Sequence, residues 1–132
     1  MTSNKFYAIV AGVGPGLGRS SAIRFSKAYP VVLLSRHSES YNSVVAEINE
    51  AGGKAIGISA DAADQASVAA AFETIKKELP DLKLAATVYN VRPGTGRPGL
   101  KPFLELTLED LERSLNGSMY VYPELLYSCG FL

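Results

Sequence analysis

The sequence predicts an α/β chain built as a doubly wound parallel sheet with helices on both faces. Three observations carry that expectation. Four short, β-prone apolar runs recur along the 132 residues, stretches with helical spacing separate them, and a glycine-rich turn directly follows the first run. Alternation of this kind requires right-handed crossovers between neighbouring parallel strands.

The first run, "KFYAIVA" (5–11), is continuously apolar after Lys5, as a strand covered on both faces should be. The glycine turn "GVGPGLGRS" (12–20) leads from it into a first helix. "PVVLLS" (30–35) is the second strand. Ser38 is placed to cap a helix whose Val44, Val45 and Ile48 share one face, and Gly52-Gly53 stops it. "KAIGISA" (54–60) is the third strand. Val68, Phe72, Ile75 and Leu79 then follow the spacing of a buried helical stripe, with Pro80 just past its end. "LAATVYN" (84–90) is the fourth strand, and "RPGTGRPGLKP" (92–102), rich in Gly, Pro and positive charge, is a loop. Thr107-Leu-Glu-Asp110 forms a capping box for a last helix carrying Leu108, Leu111 and Leu115. The expectation is one domain over 1–132 whose sheet is truncated after the fourth strand and fourth helix. Residues 121–132 read as a divergent tail, since Pro123 would break a helix.

Composition narrows the function. At 47% hydrophobic, the chain has enough apolar side chains for a core. Thirteen basic and thirteen acidic residues cancel, so no net field draws it toward nucleic acid or an anionic membrane. No apolar run approaches the roughly 20 residues needed to span a bilayer. The single cysteine, Cys129, has no internal partner, which suits a reducing cytosol. A cytoplasmic chain is expected, with neither nucleic acid nor membrane as partner.

Three phosphate-loop templates compete for the glycines. The nucleoside-triphosphate loop G-x-x-x-x-G-K-[ST] fails twice, at Val13 and at Arg19. The dinucleotide pattern G-x-G-x-x-G begins well at Gly12 and Gly14 but meets Leu17 where its last glycine belongs. The wider spacing G-x-x-x-G-x-G fits Gly12, Gly16 and Gly18, between the first strand and the first helix. There Gly12 permits a tight turn, Gly16 lets backbone approach a pyrophosphate, and Gly18 lets the helix pack close to the sheet. The positive end of that helix then faces the phosphates, with Leu17 and Arg19 beside them. A glycine turn without a ligand has the same spacing. Its place in an α/β alternation favours a bound dinucleotide.

These residues resemble the short-chain dehydrogenase/reductase family, whose domain is Rossmann-like. "GVGPGLGRS" is similar to the family's cofactor loop, with Ala11 where threonine is commoner. "SADAAD" (59–64) is similar to its adenine-contacting segment, which implies that Asp61 lies near the adenine amino group. "TVYNVRPG" (87–94) resembles its Asn-Asn-Ala-Gly segment: Asn90 matches, while Tyr89, Val91 and Arg92 depart. The resemblance covers residues 5 to 116.

The second strand ends "LLSRH". A chain selecting NAD places Asp or Glu there to accept from the ribose 2′-hydroxyl. Here stand Ser35, Arg36 and His37, with no carboxylate until Glu39. Arg36 suits a charge-assisted pair with a 2′-phosphate, and Arg19 could approach it from the other side. NADP is therefore expected over NAD, with His37, the only histidine, as a loop residue at the adenosine end.

The resemblance also implies acid–base-assisted hydride transfer by a tyrosine and lysine spaced Tyr-x-x-x-Lys. Tyr120, Tyr122 and Tyr127 are followed four positions on by Glu124, Leu126 and Phe131, and Lys101 is the last lysine. No catalytic or metal-binding residue is assigned. Asn116, before Gly117, matches the family's helix asparagine by residue type alone, and equally suits a helix end. Arg92, Arg97 and Lys101 fit either a solvated connector or an anionic-substrate contact. Three functions stay open: an NADP-dependent oxidoreductase of a small carbonyl or alcohol, a non-catalytic nucleotide-binding chain, and a protein that self-associates or pairs with another chain through an exposed sheet edge.

Overall fold

Why the strands read as unbroken apolar runs is evident from the computed structural model, which describes residues 5–92 and 102–116. β1 (Phe6–Ala11), β2 (Val31–Ser35), β3 (Ala55–Ser59) and β4 (Lys83–Tyr89) form one sheet in the order β3-β2-β1-β4. All three pairings are parallel. Alternate residues of the central strands feed two separate cores. Ala8, Val10, Val31 and Leu33 pack with Ala22 of α1 (Leu17–Ser26) and with Val44 and Ile48 of α2 (Asn42–Glu50). Tyr7, Ile9, Ala11, Val32 and Leu34 pack on the other face with Val68, Ala71, Phe72 and Ile75 of α3 (Gln65–Glu78). The sheet is thus covered on both sides, as the sequence predicts.

The chain begins at the centre of the sheet, steps outward through β2 to β3, and crosses back to β4 on the far side of β1. The strand order reverses between β1 and β4, and the carboxyl ends of strands at such a reversal are where open α/β sheets bind ligands.

The expected stripe of α3 is buried in full, with Val68, Phe72, Ile75 and Leu79 each at most 4% exposed. Its first turn is capped by Asp64, whose carboxylate accepts from the Ser67 amide at 3.1 Å. The capping box of α4 (Leu108–Leu115) is present in both halves: the Asp110 amide donates to Thr107 Oγ1 and the Thr107 amide to Asp110 Oδ2.

Ser38 does not cap α2. It opens a 3₁₀ turn over Ser38–Ser40, and α2 starts at Asn42. Tyr41 sets that start. Its ring is buried over Gly57 of β3, where any Cβ would overlap it, and its hydroxyl shares a 2.9 Å hydrogen bond with Ser59. Anchoring the ring on the sheet outweighs the local capping preference of a serine.

Candidate functional site

β1 delivers the chain into the glycine turn. At Gly12 the backbone adopts φ +87°, and a Cβ there would overlap the Asn90 carbonyl at the end of β4. Two hydrogen bonds fix this approach: the Asn90 amide donates to the Ala11 carbonyl at 2.8 Å, and Asn90 Nδ2 donates to the Gly12 carbonyl at 3.2 Å. The Gly12 amide in turn donates to the Leu34 carbonyl of β2 at 2.9 Å. Gly12 is therefore pinned between the ends of β2 and β4, a position that no side chain could share.

The other glycines differ in kind. A Cβ on Gly18 would lie 2.5 Å from the Gly12 carbonyl oxygen, so the close approach of α1 to the turn needs glycine. Gly14 and Gly16 face open space, with no heavy atom within 4 Å of an added Cβ. No described side chain or backbone fills the space beside either residue. Gly16 is the N-cap of α1, which has neither a side-chain cap nor an acidic residue in its first turn. The positive end of the helix is therefore met by no capping or acidic side chain of its own first turn. Leu17, 65% exposed, sits at the rim of that opening.

A cavity of about 520 Å³ opens at the carboxyl ends of the strands, within the size range of small-molecule sites. Gly12, Ser35, Arg36 and Asp61, four of the residues singled out in the sequence, line it together. Asp61 is set at its mouth by a hydrogen bond from the Ala63 amide to Oδ1 at 2.9 Å. Beneath it, burial first and the Asp61 charge second hold the Tyr89 phenol above its usual range. Asn90 braces the floor through Gly12, as described above.

Arg19 is placed differently from the expectation. Its guanidinium is taken by Glu47 of α2, with Nη2 2.6 Å from Oε1 and 2.8 Å from Oε2, and Nε 3.2 Å from Oε2. Arg19 thus ties α1 to α2, and does not converge with Arg36 on the cavity in this arrangement. Arg36 is exposed and has no ion-pair partner among the described residues.

Several cavity residues were not anticipated as a cofactor wall. Arg92 follows β4, and Glu109, Glu112 and Arg113 come from α4, with Asn116 at that helix's end. Arg113 is paired with Glu109 at 3.2 Å. No local signal could have placed α4 over the cleft, because the sequence gives its register but not its docking. Arg97, Lys101, Tyr120, Tyr122 and the tail 121–132 lie outside the described residues. Among the described residues no cluster of His, Cys, Asp and Glu could hold a metal, and no helix is long and apolar enough to cross a membrane.

The sequence matches the family model described as short chain dehydrogenase over residues 7–122. This chain belongs to the short-chain dehydrogenase family. Among curated proteins of that kind it is 34% identical over 124 residues to the tetrahydroxynaphthalene reductase PfmaG of Pestalotiopsis fici, covering 92% of this chain and 44% of the relative. A metagenomic short-chain oxidoreductase crystallised with NADP superposes with a TM-score of 0.83 at 23% identity, covering 98% of this chain and 56% of the other. The hydroxysteroid dehydrogenase of Escherichia coli gives 0.78 at 25% identity, covering 94% and 50%. The chain spans about half the length of the short-chain dehydrogenases it matches. Within its 132 residues none of the seven tyrosines is followed four positions on by a lysine, so the family's Tyr-x-x-x-Lys pair is not part of this sequence.

Proposed function

We propose that this chain is the nucleotide-binding part of a short-chain dehydrogenase and that its cavity takes NADP(H). The observation that carries the reading is Arg36: a cation at the end of β2 with no ion-pair partner among the described residues, on the same cavity as Gly12 and Asp61, where a chain selecting NAD would present a carboxylate. The open space at Gly14 and Gly16 and the uncapped start of α1 fit a pyrophosphate. Asp61 would accept from the adenine amino group, Ser35 would flank the ribose, and Asn90 would hold the turn in shape. The solved structure with NADP supports the same ligand class. Arg19 reaches a 2′-phosphate only by leaving Glu47, so Arg36 bears most of the selection.

NADP(H) supplies a hydride when bound. Its transfer to or from a small carbonyl or alcohol is proposed for a protein that carries a proton donor and lysine in addition to these residues. The 132 residues themselves support nucleotide binding without turnover, in a cytoplasmic setting. Calorimetry tests the first part. Arg36→Ala should weaken NADP about tenfold or more, as loss of a charged hydrogen bond does, and leave NAD nearly unchanged. Arg19→Ala should cost less. Equal losses for both dinucleotides would overturn the assignment of Arg36. NADPH mixed with a panel of ketones and aldehydes tests the second part: no oxidation above background is expected, and steady oxidation by the pure chain would overturn it.

A further inference from the structure

Arg92 stands where the family resemblance leads one to expect the glycine of the Asn-Asn-Ala-Gly segment, and it is one of the residues that line the cavity. We propose that Arg92 is a second binding cation of this site and that it engages the pyrophosphate common to NAD and NADP. The inference rests on the dinucleotide reading above and goes beyond it, since pyrophosphate binding otherwise falls to backbone amides alone.

Three observations carry it. The first is position. The Val91 amide lies 2.8 Å from where a Gly12 Cβ would be, so the residue after Val91 leaves the sheet immediately beside the glycine turn. The Asn90 bonds to Ala11 and Gly12 hold that junction rigidly, and a long side chain beginning there starts from a fixed base. The second is availability. Arg92 is exposed and has no ion-pair partner among the described residues, whereas Arg19 is taken by Glu47 and Arg113 by Glu109.

The third is the distribution of charge around the cavity. Arg36 and Arg92 come from the ends of β2 and β4, on the two sides of Gly12, while Asp61 and Glu112 come from the segment after β3 and from α4. Arg36 and Arg92 thus flank the glycine turn, where phosphates would lie, and Asp61 follows β3, on the side proposed for the adenine. A guanidinium presents a planar fork to phosphate oxygens, which suits a diphosphate better than a point charge would.

Arg36 and Arg92 then have separable signatures. Arg36 should discriminate NADP from NAD; Arg92 should not. The experiment is calorimetry of the full chain, its Arg92→Gly and Arg92→Lys variants and Arg36→Ala, with NADP, NAD and adenosine 2′-monophosphate, which has the 2′-phosphate but no pyrophosphate. Arg92→Gly should weaken NADP and NAD by the same factor, about tenfold, and flatten the salt dependence of both. Arg92→Lys should recover part of the loss. Adenosine 2′-monophosphate should respond to Arg36→Ala and not to Arg92→Gly. Unchanged affinity for both dinucleotides in Arg92→Gly overturns the inference and leaves the dinucleotide reading standing. A loss confined to NADP and adenosine 2′-monophosphate also overturns it, by placing Arg92 on the 2′-phosphate. If the parent chain binds neither dinucleotide, the reading beneath the inference fails, and the inference fails with it. Circular dichroism melts of the variants separate a binding loss from an unfolding one.

Discussion

Gly12 and Gly16 belong to one motif but serve different masters. Gly12 needs its φ of +87°, and any Cβ there overlaps Asn90, so the protein itself forbids substitution. Gly12→Ala should lower stability by at least about 1–3 kcal/mol, the usual cost of such a backbone conformation before the overlap is counted. Gly16 has open space around it, so Gly16→Ala should cost much less stability while weakening dinucleotide binding. Denaturant melts and calorimetry on the two variants check this. Equal stability losses would show that the space at Gly16 is not reserved for a ligand. Tyr89 offers a second residue-level test. Burial, then the Asp61 charge, holds its phenol above the usual 10.0. The folded state therefore keeps this proton where the unfolded state loses it. The resulting stability is intact below pH 10.0 and declines as pH rises toward the folded value. A difference titration of phenolate absorbance between the parent and Tyr89→Phe isolates this group, and Asp61→Asn should move it downward.

At the scale of elements, what was legible in the sequence is what local chemistry decides. The stripe Val68, Phe72, Ile75 and Leu79 gives α3, and Thr107 with Asp110 gives the start of α4, because each signal lies within a few residues of what it controls. Three features were not legible. Tyr41, rather than Ser38, sets the start of α2, because its ring is committed to Gly57 on another strand. Arg19 is claimed by Glu47, 28 positions away. The charged wall that α4 lends to the cavity depends on docking, which periodicity cannot specify. The two capped helices should also respond differently to loss of their caps. α3 is buried along its stripe, so Asp64→Ala should lower the stability of the whole described fold by about 1 kcal/mol. α4 has no buried residue, so Thr107→Ala should fray that helix alone. Hydrogen exchange resolves the two cases: global loss of protection in the first, loss confined to 108–115 in the second.

Taken whole, the sheet is asymmetric. The paired order runs β3-β2-β1-β4, and among the described residues no strand lies beyond β4, whose backbone groups on that side form an open edge. Exposed apolar side chains lie in the segment after it, Phe103 at 83% and Leu104 at 93%, with Leu108 at 69% on α4. The 132-residue chain is expected to self-associate in solution. Light scattering on purified protein measures this, and a monodisperse monomer across a wide concentration range would count against an available edge. The bond between Asn90 and Gly12, which spans 78 positions, also has a meaning in time. On a growing chain the glycine turn is made early, yet the residue that braces it is added only after all four strands and three α-helices have been made. Until then the turn has its sequence but not its shape, and closing so long a span is slow relative to forming the helices between. Under the proposed function, a nascent chain would therefore gain its nucleotide site abruptly, when β4 docks, rather than gradually as the glycines leave the ribosome.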